Sequence, residues 1–131
     1  MSVKEFAAQF VDAEDAAFQR GDFSALSRIE DPNVVMHMGP PFGDMFGHEA
    51  HKQYIIGARK ASNDFKQDWK FLAGNEDLFA MSYRATGRFA ADMPGLPPTA
   101  GKSFDNDYLF VIRVQNQRVA EVWAKGTMAF T

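Results

Sequence analysis

Cysteine is absent from this sequence of 131 residues, and acidic residues exceed basic ones only slightly, by 17 to 14. Without cysteine the chain has no disulfide bond, thiol nucleophile or thiolate metal site. No apolar run approaches the roughly 20 residues of a membrane span, and the first residues lack the apolar core of a signal peptide. We therefore expect a cytoplasmic protein without a membrane partner. The net charge of −3 gives no electrostatic reason to expect nucleic acid.

Apolar residues make up 46% of the chain and charged residues 24%, which is typical of a folded globular protein. The length suits a single domain spanning residues 1–131. Among the apolar residues, Phe and Met are unusually frequent, with 13 and 7 copies. Most of these side chains are expected in the core, and the same residue types also line apolar ligand cavities.

The first helix is predicted from Ser2 to Arg20, with Ser2 and Glu5 as a capping box and Gly21 as its left-handed end. Its apolar residues fall on one arc of the helix. Glu14 lies inside this arc, four residues from both Phe10 and Phe18. Three explanations stay open: the carboxylate reaches solvent at the edge of the arc, pairs with a buried Arg or Tyr, or faces a pocket where burial raises its pKa.

Two further helices are predicted before the sheet. A short one follows Asp22 as N-cap and ends at Asp31-Pro32. Another runs from Gly47 to about Ser62, with apolar residues at helical spacing. His48 and His51 are expected to be exposed on this helix. Together with His37 they have no spacing typical of a metal site, so no metal is predicted.

The first strand is predicted over residues 33–38, followed by a Pro- and Gly-rich loop over residues 39–46. On a period of two, Val35 and His37 share one face, and Val34, Met36 and Met38 share the other. A titratable ring where a strand meets a loop is a common component of a reactive pocket. His37 is therefore a candidate site residue.

Alternation of period two dominates from Phe65 onward and predicts four strands with turns at residues 74–77 and 115–118. A loop is expected over residues 90–101, which include three prolines. Helices first and an antiparallel meander afterwards indicate an α+β fold, with helices on one face of a curved sheet.

Four local sequences, in this order of elements, resemble the nuclear-transport-factor-2-like superfamily. They are Gly21-Asp22, Gly47-His-Glu-Ala50, the PPTAGK segment at residues 97–102, and the closing RVAEVW at residues 118–123. The chain is most similar to SnoaL-like polyketide cyclases and ketosteroid-isomerase-like proteins. This resemblance implies a cone-shaped, strongly bent antiparallel sheet around the long first helix, an apolar pocket inside, and a homodimer.

The resemblance also assigns positions. His37 stands where the isomerases have their catalytic Asp, and Glu14 where they have a Tyr that binds the substrate oxygen. Phe110 replaces their second donor, and Thr127 replaces the acid/base Asp of the cyclases. Neither activity transfers intact, so function depends on the site itself.

The predicted catalytic residues are Glu14, His37 and Tyr108. The predicted substrate-binding residues are Phe10, Phe18, Tyr54, Met81, Tyr83, Asn106, Phe110 and Trp123. Alternation that turns Phe110 inward also turns Asn106 and Tyr108 inward, whereas a bulge would turn Asp105 and Asp107 inward instead. A His near a carboxylate, with Tyr and Asn as donors, suits proton abstraction next to a carbonyl, or a dehydration.

Three functions are compatible with these residues. The first is a small enzyme of isomerase, cyclase or dehydratase type that needs no cofactor and acts on an apolar ring or carbonyl compound. The second is a binding protein that holds a small apolar molecule in the same pocket without turnover, which Phe110 at the donor position favours. The third is an interaction module whose cavity is filled by its own Phe and Met side chains.

Overall fold

The computed structural model describes residues 1–131. Three helices, α1 (Val3–Arg20), α2 (Ser24–Ile29) and α3 (His48–Ala61), precede or interrupt the strands. The strands are β1 (Glu30–His37), β2 (Asp44–Phe46), β3 (Ser62–Gly74), β4 (Leu78–Phe89), β5 (Ser103–Gln115) and β6 (Arg118–Phe130). None of the helices combines the length and apolar content that crossing a membrane requires.

The six strands form one curled, unclosed sheet in the order β2-β1-β6-β5-β4-β3. Every neighbouring pair is antiparallel except β1 and β6, which run parallel. Register shifts interrupt the β3–β4 and β5–β6 ladders, and such irregularities bend strands. The α+β fold with a bent sheet and a long first helix is therefore confirmed.

Helix α1 begins and ends as the sequence predicts. The Ser2 hydroxyl accepts a hydrogen bond from the Glu5 backbone N–H at 3.1 Å, and Gly21 closes the helix with φ of 67°. The buried arc contains Phe6, Ala7, Phe10, Ala13, Glu14, Ala16 and Ala17. Because α1 packs its apolar arc on the inner face of the sheet, Glu14 is carried into the interior.

The segment between α1 and α3 differs from the prediction. Helix α2 begins at Ser24 with Phe23 at the N-cap position, so the predicted N-cap Asp22 lies one residue before it. The Asp22 side chain still accepts a hydrogen bond from the Ser24 backbone N–H, at 3.0 Å. Strand β1 starts at Glu30, so Pro32 lies within a strand. Proline is tolerated there because the pairing with β6 shifts register between Glu30 and Val35 and requires no regular ladder bond from it.

The predicted loop before α3 contains a short strand. Residues Asp44–Phe46 pair with Val35–His37 and form β2 at the edge of the sheet. Beyond β4, the loop predicted over residues 90–101 is present and extends one residue further, to residue 102. The sheet's curvature leaves the space between α1, α3 and strands β3 to β6 to be filled by side chains, and a cavity remains there.

Candidate active site

An internal cavity of about 80 Å³ lies between α1, α3 and the inner face of the sheet. Of its 21 lining residues, 17 are hydrophobic. Eight of the residues predicted from sequence line it: Phe10, Glu14, Phe18, Tyr54, Tyr83, Asn106, Tyr108 and Phe110. The walls are therefore apolar, with a few polar side chains placed among them, which is the usual composition of a small-molecule site.

Glu14 is the acidic residue of this cavity, and only 3% of its surface is exposed. Its position on the buried arc of α1 excludes the solvent-facing explanation. Burial raises the pKa of the Glu14 carboxyl to about 7, and the nearby Glu30 raises it as well, whereas His51 lowers it. A carboxyl that titrates near neutral pH can act both as a base and as an acid.

His51 is the partner of Glu14, and its predicted exposure is wrong. The ring lies on the buried face of α3 with Ile55 and Ala58, and its Nε2 is 3.8 Å from Glu14 Oε1. Its Nδ1 is 3.0 Å from each carboxylate oxygen of Glu30. The sequence carried a signal for this, because positions 51, 55 and 58 follow the same helical spacing that singled out Glu14 on α1.

Glu30 links the two histidines of α3. It is fully buried at the start of β1, and its Oε1 is 2.9 Å from His48 Nδ1. His48 Nε2 in turn is 3.1 Å from the hydroxyl of Ser27, an exposed residue of α2. Sequence reasoning missed Glu30, since it assigned the residue to the end of a helix and expected His48 on the surface.

The charges in this cluster compensate one another. Burial lowers the pKa of His51, but the Glu30 and Glu14 carboxylates outweigh that effect and bring it to about 9. At neutral pH the His51 imidazolium thus lies between the buried carboxyl groups of Glu14 and Glu30. Such pairing is what permits charged groups to remain in an apolar interior.

The same cluster also contains residue types that bind metal ions. Glu14, Glu30 and His51 each offer one ligand atom within 4.8 Å of the others. However, both oxygens of Glu30 already pair with His51 Nδ1, and the imidazolium already supplies the positive charge. The donors are committed to one another, so the residues fit an ion pair better than a metal.

The cavity also holds neutral hydrogen-bonding groups. Tyr83 donates its hydroxyl to Gln67 Oε1 at 3.0 Å, and Gln67 donates to Asp15 Oδ1 at 2.7 Å, which ties Tyr83 to the wall. Burial raises the pKa of Tyr54 and of Tyr108, so both phenols stay protonated at neutral pH. These two side chains are the cavity's phenolic donors.

Strand β5 presents Asn106, Tyr108 and Phe110 to the cavity, as alternation predicts. The β4–β5 ladder is regular, so no bulge turns the acidic residues inward. Asp105 instead pairs with Arg84 on the outer face, at 2.7 Å. Two buried polar atoms among the lining residues, Asn106 Oδ1 and Trp69 Nε1, have no hydrogen-bond partner within the chain.

His37 does not face this cavity, and the prediction that it points there with Glu14 is wrong. Val34 and Met36 are buried, so period two directs His37 to the opposite, outer face of β1. There its Nε2 is 2.7 Å from Glu121 Oε2, and its Nδ1 is 3.1 Å from Asp44 Oδ1.

Two predicted substrate-binding residues also lie elsewhere. Trp123 is 38% exposed and stacks on the His37 ring, with centroids 5.6 Å apart. Its neighbour Val122 is the β6 residue that faces the core. Met81 is buried in the core but does not line the cavity. Trp123 points outward because the pleat turns neighbouring residues of a strand to opposite faces. Met81 packs in the core away from the cavity, and alternation predicts only the face of a residue, not its distance from the cavity.

Comparison with known proteins agrees with this architecture. IdmH of Streptomyces antibioticus, described as a proposed polyketide cyclase, superposes with a TM-score of 0.73 at 22% identity, covering 93% of this chain and 91% of its own. AclR of Streptomyces galilaeus, described as a proposed hydroxylase, gives 0.73 at 22% identity over 96% and 91%. TsrD of Streptomyces laurentii gives 0.78 at 16% identity over 93% and 88%. At these identities the likeness shows the fold alone.

Among curated proteins, none matches the sequence. A family-level match covers most of the chain, because residues 8–126 fit the sequence pattern described as SnoaL-like polyketide cyclase. The chain therefore belongs to the SnoaL-like polyketide cyclase family.

Proposed function

We propose that this protein is an acid–base enzyme of cyclase or isomerase type that acts, without a cofactor, on an apolar compound with an enolisable carbonyl group. The observation that carries the proposal is Glu14, a buried carboxyl whose pKa is raised to about 7 and which lines an apolar cavity. Membership of the SnoaL-like family supports the general class of reaction.

Glu14 is the proposed proton carrier. In its anionic form it takes a proton from the carbon next to the substrate carbonyl. The C–H electrons then form a carbon–carbon double bond, and the carbonyl π electrons move to oxygen, which gives the enolate. The neutral phenols of Tyr108 and Tyr54 are the donors that stabilise this developing oxyanion. The cationic His51 keeps a fraction of Glu14 ionised despite its burial.

The enolate has two fates in such a cavity. Where the substrate has a neighbouring carbon–carbon double bond, the enolate is a conjugated dienolate, and protonation by Glu14 at its far carbon gives an isomer. Attack of the enolate carbon on a second carbonyl instead closes a ring. In the second case Glu14 returns its proton to the new alkoxide. Both routes balance, because the proton removed at the start is returned to the product.

The test is deuterium exchange into 2-indanone, an apolar ketone with acidic C–H groups. Purified protein is incubated with the ketone in D2O, and the loss of the α-proton signal is followed by NMR. The wild type should exceed the buffer rate, and Glu14→Gln should lose roughly 100-fold or more of that excess, because a general base contributes about that much. Glu76→Gln, which alters an exposed carboxylate, is the matched control and should match the wild type.

A second candidate, binding without turnover, is favoured by Phe110 at the position where a second oxyanion donor is expected. If 2-indanone binds, as shown by calorimetry, while neither wild type nor Glu14→Gln exchanges deuterium above buffer, the enzyme proposal is wrong. Exchange that depends on a chelatable metal ion would also contradict it, so the assay is repeated with EDTA. The homodimer and the small apolar ligand expected from the sequence stay predictions.

A further inference from the structure

A chain of side chains leads from the cavity to the protein surface. It runs from Glu14 to His51, then to Glu30, His48 and Ser27, with atom separations of 3.8, 3.0, 2.9 and 3.1 Å. Its first members are buried, the side chain of His48 is 16% exposed, and Ser27 is exposed. Only two of these five residues have a role in the reaction proposed above.

The second histidine is the feature that charge compensation leaves unexplained. Glu30 already has a cationic partner in His51, which contacts both of its oxygens. His48 adds a second imidazole on the solvent side of the same carboxylate, with its other nitrogen on a surface hydroxyl. Imidazole accepts a proton on one nitrogen while releasing one from the other, which makes it suited to passing protons along a chain.

We propose that Glu30, His48 and Ser27 form a proton path that connects Glu14 to solvent. This inference rests on the proposed acid–base role of Glu14. Glu30 and His48 are positioning residues in this path, since they touch neither substrate nor reacting atoms. The path lets Glu14 discharge and reload its proton while the apolar cavity is filled by a ligand.

In each outward transfer, one proton enters the path from Glu14 and one proton leaves it to water at Ser27. The transfer starts from the arrangement of the Glu14–His51 ion pair in which the shared proton lies on Glu14 and the ring is neutral, with its own proton on Nδ1. Glu14 gives the shared proton to His51 Nε2, which forms the imidazolium, and the imidazolium passes its Nδ1 proton to Glu30. Glu30 passes a proton to His48 Nδ1, and the Nε2 proton of His48 leaves through the Ser27 hydroxyl to water. The reverse sequence reloads Glu14 and restores the original tautomers of both rings, so an outward and an inward transfer form a closed cycle.

The 3.8 Å step from Glu14 to His51 is the longest of the path and exceeds a hydrogen bond. Contacts in catalytic sites often shorten only when substrate is bound. Every other step is already within hydrogen-bond distance.

The experiment measures how fast the His51 ring protons exchange with water in the full chain without substrate. Protein labelled with nitrogen-15 in histidine is compared by NMR as wild type, His48→Phe and His48→Gln. If protons travel through His48, exchange at His51 should slow at least tenfold in both variants. Gln retains an amide donor toward Glu30 but cannot relay a proton, so it separates hydrogen bonding from proton transfer. An unchanged or faster rate would overturn the path.

Chemical rescue gives a readout that a purely structural role of His48 would not move. In His48→Gly, added imidazole should restore exchange at His51, and substituted imidazoles should do so in an order set by their pKa values. Restoration that is equal for all imidazoles regardless of pKa would mean that they only fill space, and it would contradict the proposal.

These outcomes are distinct from those of the deuteration assay. Exchange at His51 independent of His48, with Glu14-dependent deuteration of 2-indanone, rejects the path and leaves the enzyme proposal intact. Exchange dependent on His48 without any deuteration rejects the enzyme proposal and leaves the path.

Discussion

Two clusters in this molecule place a histidine between two carboxyl groups, and they differ in how far their side chains are exposed to solvent. In the inner cluster, His51 lies between Glu14 and Glu30, and the three side chains are at most 7% exposed. In the outer cluster, His37 lies between Asp44 and Glu121, and 24% to 49% of each side chain is exposed. The functional groups are the same, and the contact of His51 with Glu30 at 3.0 Å is similar in length to the contacts of His37 at 2.7 and 3.1 Å, whereas the contact of His51 with Glu14 is longer, at 3.8 Å.

The pKa directions show what burial changes. In the outer cluster, the hydrogen bond that His37 donates to Glu121 raises the pKa of His37 and lowers that of Glu121, as for an ordinary surface ion pair. In the inner cluster, burial raises the pKa of Glu14 although a cation lies beside it. Only the buried cluster yields a carboxyl that titrates near neutral pH, and titration near neutral pH is what acid–base chemistry requires.

The largest expected difference between the clusters is in stability. His51→Leu leaves the Glu14 and Glu30 carboxylates buried without their cation, which should cost about 3–5 kcal/mol of unfolding free energy. His37→Leu removes the matching residue of the outer cluster and should cost about 1 kcal/mol or less, because water solvates the remaining carboxylates. Urea unfolding at pH 7 compares the two variants with the wild type.

Equal losses in these variants would mean that burial does not distinguish the clusters. A double variant, Glu30→Gln with His51→Leu, serves as the control for charge. It should be more stable than His51→Leu alone, because it leaves one buried carboxylate fewer without a partner.

The next difference is the dependence of stability on pH. The folded-state pKa of Glu14, about 7, lies above its ordinary value, so the folded protein holds a proton that the unfolded chain loses between about pH 4.5 and 7. The pKa of His51 is raised from 6.5 to about 9, so its contribution is complete below pH 6.5 and is lost as pH rises to 9. Both groups make stability fall as pH increases.

Unfolding free energies measured from pH 5 to pH 9 test this sign. Glu14→Gln should remove a fall on the order of 2–3 kcal/mol between pH 5 and 7, since one unit of pKa shift is worth about 1.4 kcal/mol. His37→Gln should leave the profile parallel to the wild type between about pH 5 and 6, because the raised pKa of His37 changes the stability only as pH rises through and above 6.5. A wild-type profile that rises over this range would show that Glu14 is not held protonated by the fold.

The sequence predicted the parts of this structure that periodicity controls. Helix α1 and its caps follow from Ser2, Glu5 and Gly21, and the inward face of β5 follows from alternation around Phe110. Glu14 was identified because it is a charged residue within an apolar arc. When that arc packs against the sheet, every residue on it is buried, including the charged one. These are local patterns, and they need no knowledge of which elements meet.

The inner cluster depends on contacts between distant elements, and these were not predicted. Glu30 and His51 are 21 residues apart, and they meet because β1 starts at Glu30 and α3 packs over it. The resemblance assigned a catalytic position to His37, but burial of Val34 and Met36 shows that its face of β1 is the outer one. The sequence contained a signal for this orientation, because the apolar residues Val34, Met36 and Met38 share the face of the strand opposite to His37.

The smallest expected effect lies in catalysis by the outer cluster. His37 is the residue that a position-by-position comparison with the isomerases assigns as the base, whereas the structure separates it from the cavity by the sheet itself. His37→Leu should therefore leave deuterium exchange into 2-indanone within about twofold of the wild type, because the residue contributes no group to the cavity.

The same assay on Glu121→Gln supplies the matched variant, since it removes the negative charge 2.7 Å from His37 Nε2 without removing the ring. Both outer variants are compared at equal folded fractions with Glu14→Gln. A loss of tenfold or more in His37→Leu, with Glu14→Gln unaffected, would reverse the assignment of the two clusters. Chemistry would then belong to the exposed face of β1, and the buried carboxyl would serve only the ion pair that holds α1, α3 and β1 together.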